Sequence, residues 1–125
     1  MAKARTEEAE ATVKVASADT NSDVNATVIE VAAGRGYLKS VQQLMTSYPY
    51  GVMVGYVTVT IDGVALPELE LSRAEFAGDF PGELMNSINV FYAPSIRYET
   101  SLKVQHRFVK TTGGIVKTVV SYTEE

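Results

Sequence analysis

Between Arg97 and Phe108 the chain alternates without a break. Tyr98, Thr100, Leu102, Val104, His106 and Phe108 hold the even positions; Arg97, Glu99, Ser101, Lys103, Gln105 and Arg107 hold the odd ones. Successive side chains of an extended strand point to opposite faces, so a period of two predicts a strand with one dry and one wet face. Beyond Lys110 and the stretch Thr111-Thr112-Gly113-Gly114, the run Ile115–Tyr122 again carries an apolar even set of Val116, Val120 and Tyr122. A loop from Thr111 to Gly113, with Gly113 in the left-handed conformation, closes the two runs into an antiparallel hairpin. It would set Phe108 opposite Val116 and Val104 opposite Val120, both apolar faces on one side.

The same reading extends upstream. Val24–Val31 alternates as a first strand, and Ala33-Gly34-Arg35-Gly36 breaks it. Residues 37–48 fit helical spacing through Leu38, Val41, Met45 and Tyr48 and strand spacing through Tyr37, Val41 and Met45; the β context decides for strand. Tyr48-Pro49-Tyr50-Gly51 is a turn, and Val52–Ile61 a strand dense in β-branched residues. Asp62-Gly63 then predicts a type I′ turn with Ile61 facing Val64 and Val59 facing Leu66, since that turn needs positive φ at both centres. Pro67 ends regular pairing on the return strand. Ser72-Arg73-Ala74-Glu75 has the capping-box spacing for one short helical turn, closed by Gly78, and Phe76, Phe80 and Leu84 are placed as plugs at one end of the core. Ser87–Tyr92 is a further strand. The sum is an all-β chain: an antiparallel β-sandwich or small jelly-roll-like barrel of about six to eight strands with one short helical turn.

Residues 1–23 are rich in Ala, Glu, Thr, Asp and Ser and poor in large side chains. They are set apart as an arm, flexible or ordered by a partner, with a helical turn over Thr6–Ala11 or an edge strand over Ala11–Ala16 as its local options. Residues 24–125 form the single β-sandwich domain. The N-terminus carries acids where a secretion signal has its apolar core, and the apolar run Val52–Ile61 is about half the ~20 residues that a membrane helix needs.

Charge narrows the partners. A net charge of −4 repels phosphate backbones and anionic lipid, so nucleic acid and membrane are not expected. Asp62–Glu83 holds six acids against Arg73, and Arg97–Lys117 five bases against Glu99, a segregation that suits pairing inside one subunit or docking between subunits. The absence of cysteine excludes thiolate chemistry, disulfides and Cys-ligated zinc.

Candidate chemistry is sparse. His106 is the single histidine and falls on the apolar face, the place of a satisfied core or rim residue. Glu68 and Glu70 flank Leu69 and would point the same way on a strand, but a solvated strand face accounts for them. Glu75 and Asp79 complete the acids open to a hydrolase. Gly34-Arg35-Gly36 lacks the rest of a phosphate-binding motif. No catalytic, cofactor or metal site is expected, and the chain reads as non-enzymatic.

The order Gly34–Val41, Val57–Val64, Tyr98–Val104 and Val119–Tyr122 resembles small β-sandwich virion structural proteins of tailed bacteriophages and related viruses, of the capsid-decoration, tail or spike-base type. The resemblance covers about residues 34 to 123 through general strand-and-turn patterns and transfers no catalytic residue. It implies a virion protein assembled in the host cytoplasm that self-associates, as a trimer for example, and docks on a capsid or tail protein. Tyr48, Tyr50, Tyr92, Arg97 and Arg107 are the expected partner contacts. A carbohydrate- or receptor-binding module using Tyr48, Tyr50 and Tyr92 as a stacking platform is the alternative.

Overall fold

The computed structural model of the chain describes residues 12–47, 51–76, 86–110 and 114–125. Ten strands are present among them: β1 (Thr12–Thr20), β2 (Ala26–Val31), β3 (Gly36–Ser47), β4 (Gly51–Ile61), β5 (Val64–Ala65), β6 (Leu69–Phe76), β7 (Asn86–Tyr92), β8 (Ile96–Tyr98), β9 (Leu102–Lys110) and β10 (Gly114–Glu124). They form two five-stranded sheets in which every pairing is antiparallel. The first runs β1-β10-β3-β7 with β8 also on β3; the second runs β2-β9-β4-β5 with β6 also on β4. The two sheets stack as a sandwich, so the expected fold class holds, with ten strands where about six to eight were expected and with strand and not helix over residues 36–47. The described part of the segment set apart as an arm contributes β1, paired with β10 along its whole length.

The closing hairpin does not form. β9 lies in the second sheet between β2 and β4, and β10 lies in the first between β1 and β3. Val104 pairs with Val59 and Ile29, Phe108 with Gly55, Val116 with Met45 and Val120 with Val41. The inward parity matches expectation: Val104, Phe108, Val116 and Val120 are all buried. The apolar faces of β9 and β10 belong to opposite layers of one core. A strand that crosses to the other sheet shows the same in-out pattern as one that folds back beside its neighbour, and periodicity cannot separate them.

The expected strand Arg97–Phe108 is likewise two strands, divided at Glu99–Ser101. Asp62 holds that corner. Its backbone N–H donates to Ser101 O at 3.0 Å, and its carboxylate accepts the N–H groups of Glu99 (2.9 Å), Thr100 (2.7 Å) and Ser101 (3.1 Å). These bonds favour the charged form and draw the Asp62 pKa down to about 2. The turn matches expectation: Asp62 and Gly63 have φ of 53° and 83°, Ile61 pairs with Val64, and Leu66 N–H donates to Val59 O at 2.8 Å.

The helical turn expected at Ser72–Glu75 is replaced by strand β6. Ser72 pairs with Gly55 on β4, and its hydroxyl points into the core instead of capping a helix. Tertiary pairing thus overrides a local capping signal. Of the expected end plugs, Phe76 belongs to β6, and Phe80 and Leu84 lie outside the described residues, as does Gly78, expected to close the helical turn.

Among the described residues the core has two apolar clusters. Val31, Leu38, Val41, Val57, Val59, Tyr98, Leu102, Val104, Val120 and Tyr122 form the larger; Met45, Met53, Phe108 and Val116 form the smaller.

Candidate functional site

A polar layer separates the two clusters. On β3, Gln43 stands between Val41 and Met45; on β10, Thr118 between Val120 and Val116; on β9, His106 between Val104 and Phe108. Gln43, Thr118 and His106 have zero exposure and Ser72 1%. Ser72 Oγ donates to Gln43 Oε1 at 2.7 Å, Gln43 Nε2 donates to Thr118 Oγ1 at 3.2 Å, and Thr118 Oγ1 meets His106 Nδ1 at 2.6 Å. The chain starts in one sheet, passes through the other and returns. Gly55 makes room for it: a Cβ there would sit 2.4 Å from Ser72 Oγ and 2.5 Å from Gln43 Oε1. Burial pushes the His106 pKa below its ordinary value, opposed in part by Asp19, so the ring is neutral at pH 7. Its Nε2 has no hydrogen-bond partner among the described residues. Unpaired buried polar atoms are costly, so the layer spends stability on a fixed alignment of the sheets.

Arg97 and Arg107 sit in separate networks. Arg107, on β9, donates from Nε and Nη2 to both oxygens of Glu68 (2.9 and 2.7 Å) and from Nη1 to Asp23 (2.6 Å), and its guanidinium lies 4.0 Å from the Tyr56 ring centroid. Arg97, on β8, donates to Glu99 at 3.0 Å and to Glu125, and lies 5.1 Å from the Tyr37 ring centroid. The Arg107–Glu68 pair joins the acidic and basic stretches inside one subunit. Glu70 is held by Arg73 at 2.6 Å. Glu68 and Glu70 therefore have an arginine each, and Arg107 holds the Glu68 pKa below the ordinary range, the opposite of what a general acid needs. The Glu75 side chain and Asp79 lie outside the described residues.

Tyr92, at the end of β7, lines a cleft of about 210 Å³ with Val59, Leu66, Pro67, Leu69 and Ile96. Its walls are apolar and offer little to hydrogen-bond a sugar. Tyr48 and Tyr50 lie outside the described residues.

The feature that sequence reading missed is the outer face of the first sheet. Val13 and Val15 on β1, Leu44 on β3, Phe91 on β7 and Ile115 on β10 are 58%, 66%, 37%, 63% and 43% exposed. Register puts them on one side: Val15 opposite Ser121, Ile115 opposite Thr46, Lys117 opposite Leu44, Gln42 opposite Phe91. Between them stand neutral polar residues, including Gln42 and Asn89 bonded at 2.8 Å, and the facing charges Asp19 and Lys117. The signal was present as Val13 and Val15 on alternate positions, but alanines at 16 and 18 made the inward half of the pattern too weak to read.

No family model and no curated protein matches the chain. Among solved structures, it is similar to a chain of the infectious bursal disease virus Gx strain (15% identity, TM-score 0.36, covering 90% of this chain and 35% of that one). It is also similar to chains of the T13 viral particle of that virus (13%, 0.37, 90% and 35%) and of its VP2 subviral particle (11%, 0.36, 91% and 38%). The chain thus spans little more than a third of the length of these neighbours.

Proposed function

We propose that this chain is a non-enzymatic assembly subunit, a β-sandwich that self-associates and builds onto or into a virion as a capsid-decorating, tail or spike-base component. The observation that carries the assembly reading is the outer face of the β1-β10-β3-β7 sheet, with five large apolar side chains in the open. Large exposed apolar side chains gathered on one sheet face, set among mostly neutral polar residues, mark a candidate interaction face. Tyr56, Tyr37 and the arginines beside them are occupied within the subunit, which makes the face the better candidate for contact. The virion setting is supported by the order of strand and turn segments in the sequence.

Native mass measurement and light scattering at micromolar concentration test this reading. The expected result is a discrete homo-oligomer, and the double substitution Leu44→Asp and Phe91→Asp should abolish its docking on a particle while the β-sheet circular dichroism is retained. A strictly monomeric wild type without affinity for any particle would overturn it.

A further inference from the structure

We infer that β1 is the edge through which two copies of this chain join, the free rim of one β1 pairing antiparallel with the β1 of the second copy to make one continuous sheet. The inference rests on the assembly reading and names its contact.

Among the described residues, β1 hydrogen-bonds on one side only, to β10. Sheet edges are usually shielded by shortness, bulges, proline or a protruding charge. Most other edges carry such devices: β5 and β8 have two and three residues, and the registers of β2 and β6 are each broken by an irregularity; β7, at the far edge of the same sheet, is unbroken but shorter, with seven residues. β1 has nine residues in unshifted register from Thr12 to Thr20, with neither proline nor glycine. Its lysine does not guard the rim, because Lys14 Nζ is tied at 2.8 Å to Glu124 of the same subunit.

Self-pairing also has one register that the side chains favour. Joining the sheets with their outer faces on the same side requires Val13 and Val15 to oppose residues of the same parity. Setting Val13 opposite Val15 of the second copy puts Lys14 against Lys14. Setting Val13 opposite Asp19 puts a valine against a carboxylate. With Val15 facing its own copy on the twofold axis, Val13 meets Ser17, Lys14 meets Ala16 and Thr12 meets Ala18, with no like charges opposed. The exposed valines then form one apolar strip across the junction. A twofold pair is the product, in place of the trimer suggested by the sequence.

The chain has no cysteine, so single substitutions give a clean test. Directly opposed residues of an antiparallel pair have Cα atoms ~4.5 to 5.5 Å apart, inside the disulfide range. Air oxidation of Val15→Cys should give a covalent dimer, and Val13→Cys alone should not; the double variant Val13→Cys/Ser17→Cys should again cross-link. Val15→Asp should shift the native mass toward monomer while keeping the wild-type circular dichroism. Equal cross-linking of Val13→Cys and Val15→Cys overturns the register and with it the inference. An oligomeric wild type whose Val15→Cys variant does not cross-link overturns the edge contact and leaves the assembly reading standing. A monomeric wild type overturns the edge contact, and one that also has no affinity for any particle overturns both.

Discussion

Replacing Thr118 with valine preserves the shape of the side chain and deletes the junction of the buried polar layer. Its hydroxyl bonds Gln43 Nε2 at 3.2 Å and His106 Nδ1 at 2.6 Å, and none of the three residues is exposed. The substitution leaves the Gln43 amide short of an acceptor and His106 with both ring nitrogens unpartnered. Each orphaned buried group costs about 1–3 kcal/mol, and the added apolar methyl returns about 0.8 kcal/mol. The net loss is about 3 kcal/mol. With ~2.1 cal/mol/K per residue of unfolding entropy, a chain of 125 residues should melt about 11 °C lower. Urea and thermal unfolding followed by circular dichroism measure this directly. Adding Ser72→Ala, Gln43→Met and His106→Leu, which makes the layer wholly apolar, should recover most of the loss, because no polar group is then stranded. A Thr118→Val protein within about 0.5 kcal/mol of wild type would refute the layer as a coupled unit.

Three further outcomes follow from the same geometry. Burial lowers the folded-state pKa of His106 below its ordinary 6.5, so the unfolded chain takes up the proton first. Stability should be full above pH ~6.5 and fall by up to about 1.4 kcal/mol per pH unit below it; His106→Leu should abolish that slope, and a wild type flat between pH 7 and 5 contradicts the burial argument. Asp62, held near a pKa of about 2 by the corner N–H groups, adds stability above pH ~4 that is lost as pH falls toward 2. Asp62→Asn should speed amide exchange at Glu99, Thr100 and Ser101, and unchanged protection at those amides counts against its role as the corner clamp. Arg107→Lys forfeits the two-pronged bond to Glu68 and the guanidinium stacking on Tyr56, at a cost of about 0.5–1 kcal/mol that shrinks in high salt; double-mutant cycles with Glu68→Gln across a salt series should show the coupling decline.

What could be read along the chain was local. The alternation at Leu102–Phe108 and Val116–Tyr122 identified inward residues, because a strand's period of two is a covalent property of extended backbone. Asp62-Gly63 announced its turn for a similar reason: the φ values of 53° and 83° are what that pair of residues tolerates best. Segment 37–48 was settled by context alone, since its apolar spacing served helix and strand equally. Arg97 and Arg107 stand out in sequence as charges, but their ion pairs inside the subunit do not; the exposed valines of β1 lie in a stretch too poor in inward bulk to show a face.

Which strands lie side by side was decided only by the tertiary structure. Every residue except proline offers the same N–H and C=O, so the chain carries no local label for the hydrogen-bonding partner. That choice sent β9 and β10 to opposite sheets and turned a capping serine into a core donor. It also set Gln43, Thr118 and His106 at one depth and left β1 on the rim. The sequence by itself determined which side of each strand is dry. The packing of two layers determined what the dry sides meet and which strands lie at the rims.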